Sequence, residues 1–227
     1  MTDKNLTIRF TPDGFSYNDN DGFCEVSPGP DFFQRLCESL LEHVMPGQDA
    51  DMMRCEVETT RLLLAPPHIE DEELLRDMFD ITLSHSERPE QLITQVVELP
   101  KTQQAVKLCF AIDCELYHFM QRNYGDTLFC HPIAAMLTDA DRMTQGNCLV
   151  AHCSQSFLMT ALFRNSQLTL CNCFRTSQAD TRSYYVMNTW VQQGLDQLQD
   201  YLLVLGKGNE ALQVRASLHR YIKHVFS

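Results

Sequence analysis

Cys148, His152, Cys171 and Cys173 are side chains of the kinds that hold zinc. Alternation along a strand puts Cys148 and His152 on one face, and Cys171 and Cys173 on one face of theirs. A structural zinc site needs four such ligands converging on one point. No Cys-x-x-Cys pair supports this, and Cys-x-Cys on a flat strand splays its thiols. The expectation is buried cysteines, a satisfied histidine and no metal. Cys130-His131 and His152-Cys153 place a thiol next to a base, the ingredients of covalent catalysis. Strand neighbours point to opposite faces, so neither pair can be its own reacting couple, and no catalytic residue is expected. Asp13-Gly14 could turn backbone amides toward a phosphate, and it is also ordinary hairpin-turn chemistry. Asp139 and Asp141 read as solvated carboxylates near a helix end, and Glu70-Asp71-Glu72-Glu73 as first-turn charge that complements a helix dipole.

Composition narrows the partners. The 227 residues suffice for one large domain or two small ones, and 44% hydrophobic residues can bury a core. A net charge of −12 lacks the basic surface that displaces counterions from phosphates, so nucleic acid is not expected as a partner, and anionic membrane is disfavoured on the same ground. No apolar run approaches the ~18 residues that span a bilayer. Met1-Thr2-Asp3-Lys4-Asn5 has no signal-like apolar stretch. The ten cysteines are therefore expected as reduced thiols of a cytoplasmic protein.

The elements that must position these residues follow from period and punctuation. Residues 6–10 alternate as a strand, Pro12-Asp13-Gly14 turns, and residues 15–17 return. A helix follows Pro28-Gly29-Pro30-Asp31, carries Phe33, Leu36, Cys37, Leu40, Leu41 and Val44 on one face, and ends at Pro46-Gly47. Residues 57–65 read as one strand with a buried Leu62-Leu63-Leu64 run, and Leu74, Leu75, Met78 and Phe79 as the inner face of a short helix. Residues 92–99 and 105–112 read as a strand pair, Asp113 as the cap of a helix, residues 127–130 as a short strand, and Pro132 as the first turn of another helix. Residues 148–153, 157–164 and 168–174 form an expected meander. A helix with Tyr184, Met187, Trp190, Val191 and Leu195 facing inward comes next, then a strand at 201–205. A last helix presents Ala211, Val214, Leu218, Tyr221, Ile222 and Val225.

The last third thus runs strand, strand, strand, helix, strand, helix, and the first third repeats the plan with weaker edges. The chain resembles a bacterial family known only as a domain of unknown function, whose fold is actin-like. The resemblance rests on Pro12-Asp13-Gly14-Phe15-Ser16, Leu62-Leu63-Leu64-Ala65-Pro66, Glu98-Leu99-Pro100 and Phe110-Ala111-Ile112-Asp113. It continues in Tyr184-Tyr185, Leu205-Gly206 and His219-Arg220-Tyr221-Ile222. It implies an α/β, actin-like ATPase fold of two ribonuclease H-like lobes with mixed sheets flanked by helices. The N-terminal lobe is expected at residues 1–145, with an inserted strand pair, and the C-terminal lobe at 146–227.

The resemblance to that wider ATPase superfamily also implies where a nucleotide would lie. Two Asp-Gly turns, one per lobe, would hold phosphates through their amides, and a late Gly-Gly pair would admit the adenosine. The corresponding positions here are Asp13 and Gly14, Ser154 and Ser156, and Gly206, Lys207 and Gly208. The second turn has neither glycine nor carboxylate, and the late pair is interrupted by Lys207. The expectation is a non-catalytic protein-interaction or scaffold module with a degenerate nucleotide site, no cofactor, an unidentified protein partner and at most weak nucleotide binding. The alternatives are an atypical nucleotide-binding ATPase and a small-molecule or metal sensor built on the cysteine-rich sheet.

Overall fold

The structure is a computed structural model that describes residues 6–17, 23–27, 29, 31–44, 53–83, 85–206 and 208–227. Expectations that fall on residues 1–5, Pro28, Pro30, Pro46, Gly47 and Lys207 lie outside the described residues.

The alternating start forms β1 (Leu6–Thr11), which hairpins into β2 (Gly14–Tyr17) and then β3 (Phe23–Glu25). α1 (Phe32–His43) buries Leu36 and Leu40, as its period predicts, and leaves Leu41 exposed. The run at 57–65 is not one strand. It divides into β4 (Met53–Val57) and β5 (Leu62–Ala65). The Glu58 amide still donates to the Phe10 carbonyl, and beyond it the Thr59 carbonyl turns to His131, which ends the pairing with β1.

α2 (Glu72–Thr82) begins where the acidic run predicts. The Asp71 carboxylate accepts the amides of Glu73 and Leu74, and Glu72 and Glu73 sit in the first turn. β6 (Glu90–Leu99) and β7 (Gln104–Asp113) follow. Asp113 then caps α3 (Cys114–Tyr124) through the Glu115 amide, 2.8 Å away. β8 (Thr127–Cys130) leads into α4 (Pro132–Met143), whose first residue is the proline that needs no partner there.

The meander is β9 (Cys148–Cys153), β10 (Phe157–Arg164) and β11 (Gln167–Arg175), followed by α5 (Ala179–Gln192), β12 (Tyr201–Leu205), α6 (Asn209–Leu218) and β13 (His224–Phe226). Two expectations are corrected. The last helix stops at Leu218, whose carbonyl accepts the amides of Tyr221 and Ile222. The Lys223 amide then reaches the Gln197 carbonyl, and residues 224–226 join β12 as a parallel strand. In α5 the buried face is Arg182, Val186, Thr189 and Trp190, while Tyr184 and Val191 are 63% and 67% exposed. The stripe inferred from Tyr184 and Val191 is therefore rotated away from the core.

Three sheets result. One has the order β3-β2-β1-β4-β8, another β11-β10-β9-β12-β13, and the third is β5-β7-β6. In both five-stranded sheets the first three strands are antiparallel, and the fourth and fifth add parallel to the first. The β1–β4 register sets Arg9 opposite Glu56, where they pair at 2.8 Å.

The chain divides into two compact units. One holds Met1–Arg61, Asp71–Gln95 and Cys109–Pro132; the other holds Leu62–Glu70, Val96–Leu108 and Ile133–Ser227. In the second unit Leu149, Ala151, Leu158 and Leu162 of the sheet pack with Val186 and Trp190 of α5 and with Val214 and Leu218 of α6. Phe174 and Tyr185 stack 4.3 Å apart at the margin of this core.

Asp139 is two-thirds exposed, as expected, but Asp141 is not a solvated carboxylate. It is fully buried and accepts the amides of Lys101 and Thr102 at 2.7 and 3.2 Å, closing the β6–β7 turn onto α4. Lys101 in turn donates to the Thr144 carbonyl. Hydrogen bonds to a buried charge are worth about 1.5–3 kcal/mol each, so Asp141→Ala should lower unfolding free energy by about 3 kcal/mol. Asp139→Ala should change it by less than about 0.5 kcal/mol. Urea denaturation of the two variants checks both figures.

Candidate functional site

In the second unit the C-terminal ends of β9 and β12 lie side by side, with His152 opposite Leu205. This register brings together the stretch around Ser154 and Ser156 and the stretch around Gly206 and Gly208. The loop from Ser154 to Ser156 is the β9–β10 turn. Its ends are closed by the Ser154 amide on the Phe157 carbonyl at 2.9 Å and by the Phe157 amide on Ser154 Oγ at 3.2 Å. The Ser156 carbonyl accepts the Thr176 amide at 2.8 Å.

The interior of this turn is held by a residue that the sequence reading passed over. Arg182, in the first turns of α5, is fully buried. One Nη2 donates to the Ser154 and Gln155 carbonyls at 2.7 and 2.8 Å, and Nη1 to the Ser177 carbonyl at 3.2 Å. Among the described residues Arg182 makes no ion pair. Three carbonyl dipoles face its charge. A phosphate cradle needs the reverse polarity, with amides converging on the ligand. This turn aims oxygens inward at a cation, and its Ser154 amide is engaged in its own closure. A signal was present in the sequence: Arg182, Val186 and Trp190 are spaced by four, so the arginine lies on the core stripe of its helix.

Gly206 adopts φ +126°, and a Cβ there would lie 2.5 Å from the Cys153 carbonyl oxygen. The glycine is required by the approach of this loop to the end of β9. Gly208 is the N-cap residue of α6, and a Cβ on it would meet Glu210 Oε2 at 2.0 Å. The Glu210 carboxylate thus already lies over the helix N-terminus, where the helix dipole favours an anion. Lys207 lies outside the described residues.

Asp13 and Gly14 belong to the first unit. The Asp13 amide donates to Thr11 Oγ1 at 3.3 Å, and the Asp13 carbonyl accepts the Val26 amide at 2.9 Å. Gly14, at φ +148°, is paired with Glu25, and a Cβ would stand 2.0 Å from the Cys24 carbonyl oxygen. The glycine answers to β3. In the same unit a cavity of about 240 Å³ adjoins the ends of β1 and β4, with Phe10, Thr11, Pro12, Phe33, Glu58 and Arg88 among its walls; Asp13 and Gly14 are not among them. There the Arg88 guanidinium lies 5.1 Å over the Phe33 ring and 3.9 Å from Asp113 Oδ2. Burial raises the Asp113 carboxyl above its ordinary range.

The thiol and imidazole candidates lie apart. His152 and Cys173 both pair with Met159, from opposite sides, and Val150 and Cys171 both pair with Ala161. A full strand therefore separates the two halves of the zinc constellation, about 9.5 Å at ordinary strand spacing. Burial pushes the Cys148 thiol up to about 12, and the Cys130 and Cys153 thiols up to about 11, with Arg182 pulling Cys153 the other way. Nucleophilic cysteines are shifted in the opposite direction. Cys130 Sγ contacts the Cys55 carbonyl at 3.6 Å, while His131 Nε2 lies 2.9 Å from the Thr59 carbonyl. Burial holds the His131 imidazolium down to about 4.

Two five-stranded mixed sheets of one order, each with its helices, define the actin-like ATPase fold of two ribonuclease H-like lobes. From residue 1 to residue 225 the chain matches the family described as Protein of unknown function (DUF3822), and it belongs to that family. Among solved structures it is similar to a protein with actin-like ATPase fold and unknown function from Bacteroides thetaiotaomicron. That likeness has 22% identity and a TM-score of 0.76, and covers 98% of this chain and 89% of the other. A PilM-PilN type IV pilus biogenesis complex matches at 13% identity and TM-score 0.47, covering 97% and 83%. An apo psk41 parM protein matches at 8% and 0.34, covering 97% and 90%. A search of curated proteins finds no match.

Two outcomes follow from this geometry. Arg182→Met keeps the volume and removes the three hydrogen bonds that the buried guanidinium donates, so it should lower stability by about 3 kcal/mol or more in urea denaturation. An unchanged midpoint would mean that the arginine is not structural. His131 gives a pH signature. The unfolded chain takes up a proton near 6.5, the folded protein only near 4. Between these values the unfolded state binds more protons, so stability is full above the upper value and falls as pH drops toward the lower, by about 3 kcal/mol in all. His131→Phe should flatten that part of the stability–pH curve, whatever its effect at neutral pH.

Proposed function

We propose that the chain is a non-catalytic member of the actin-like fold that works as a protein-interaction or scaffold module, its nucleotide site degenerate. The observation that carries this reading is the β9–β10 turn, whose Ser154 and Gln155 carbonyls face the buried guanidinium of Arg182. A phosphate would have to displace that cation and reverse the turn. Glu210 over Gly208 supports the same reading, because it sets a negative charge where an anionic ligand would enter. So does the role of Gly14, whose missing side chain makes room for Cys24.

On this reading no cofactor is required, the partner is a protein, and nucleic acid is disfavoured by the net charge of −12. The lobe limits at 1–145 and 146–227 belong to the proposal, supported by each five-stranded sheet lying wholly on one side of that limit. A cytoplasmic, reducing setting belongs to the same proposal.

Thermal melting with and without millimolar Mg-ATP tests the reading, together with phosphate release followed over hours. A ligand at ~100 times its dissociation constant stabilises a fold by about 2.7 kcal/mol, a shift of several degrees. The expected outcome is no shift and no release above buffer. A clear upward shift, with turnover abolished by Asp13→Ala, would instead establish the atypical ATPase.

A further inference from the structure

The outward stripe of α5 consists of Asp180, Ser183, Tyr184 and Met187, spaced i, i+3, i+4, i+7. With Ser217, Leu218 and Tyr221 at the end of α6 these residues line a groove of about 300 Å³. Its character differs from the core behind it. Tyr184 is 63% exposed and Tyr221 53%, although both are large aromatic side chains. Tyr184 is braced edge-on by Tyr185, with ring centroids 5.6 Å apart, and Arg220 lies 5.9 Å over the Tyr221 ring. The Ser183 hydroxyl is buried and has no hydrogen-bond partner among the described residues. Asp180 is the one carboxylate among the lining residues.

Each feature constrains an occupant. The lining residues lie on α5, at the end of α6 and in the turn that follows it, so none belongs to a strand edge and strand addition has nothing to pair with. The lining side chains with polar groups are Tyr184, Tyr221, Ser183, Ser217 and Asp180. A bound α-helix has its carbonyls engaged internally, whereas a polyproline II segment carries all of them free to accept. The tyrosine rings offer flat apolar faces for pyrrolidine rings. The stripe from Asp180 to Met187 is about 10 Å long at helical rise, close to one polyproline II turn of about 9 Å. Asp180 and the acidic chain as a whole favour a basic residue in the ligand.

We infer that the α5/α6 groove is a docking site for a short proline-rich, basic peptide segment of a partner protein. Tyr184 and Tyr221 pack its prolines and donate through their hydroxyls to its backbone, and Asp180 pairs with its cation. The inference rests on the interaction-module reading and names the partner class for it.

The test is a fluorescence-anisotropy titration of fluorescein-labelled (Arg-Pro-Pro)3 with the full chain at physiological ionic strength. Saturable binding is expected, weakened about tenfold or more by Tyr184→Ala. Asp180→Asn should weaken it severalfold. Labelled (Glu-Pro-Pro)3 and (Arg-Gly-Gly)3 should each bind at least about tenfold more weakly than (Arg-Pro-Pro)3. Tyr221→Ala provides the same readout should Tyr184→Ala melt early.

Four results would overturn the assignment. They are no saturable binding, binding untouched by both tyrosine variants, (Arg-Gly-Gly)3 binding as well as the proline peptide, or a dimer in sedimentation that Tyr184→Ala dissociates. The third would reduce the effect to charge attraction, and the last would make the occupant a second copy. Any of these with a flat Mg-ATP melt removes only the partner class. Nucleotide turnover removes the underlying reading.

Discussion

A buried guanidinium without an ion pair must be balanced by dipoles, and in this protein the balance at Arg182 fixes the polarity of the loop that surrounds it. Three carbonyls, from Ser154, Gln155 and Ser177, are drawn toward one cation. The first turns of α5 are thereby tied to the β9–β10 turn. The same helix places Val186 and Trp190 in the core, so the position of the arginine is set by the packing of the whole unit. The turn cannot be reversed locally, because reversing it leaves a bare buried charge.

The surroundings follow from the same ladder. β12 runs parallel to β9, and the chain leaving it passes so close to Cys153 that only glycine fits at position 206. The helix that follows is covered at its start by its own Glu210. Around one strand end, then, an anion would meet carbonyl oxygens, a carboxylate and a closed backbone. These features make a stable corner and a poor phosphate site. The outer face of α5 has the opposite character, with Tyr184 and Val191 exposed. One helix thus carries a sealed inner face and an open outer one.

Much of this was legible in the residues. The Asp13-Gly14 hairpin, the meander at 148–174, the acidic start of α2, the cap at Asp113 and the strand at 201–205 all follow from alternation, punctuation and side-chain chemistry. Three features were not legible, for physical reasons. Ile222 and Val225 are three apart, which mimics a helix, while the β13 pairing that claims residues 224–226 depends on a distant strand, with Tyr201 opposite His224. Asp141 looks like surface charge because its partners, the amides at 101 and 102, are forty residues away. The rotation of α5 came from weighting the aromatic stripe over the arginine one. Lone arginines are usually solvated, and only the tertiary fold supplies the carbonyls that make Arg182 a core residue.

The carbonyl-lined state of the β9–β10 turn is tested most directly by a crystal structure from crystals grown in millimolar Mg-ADP. The account predicts Arg182 within hydrogen-bond distance of the Ser154 and Gln155 carbonyls, and no phosphate density over the turn. Density for a phosphate held by the amides of residues 154–156, with Arg182 displaced, would contradict it.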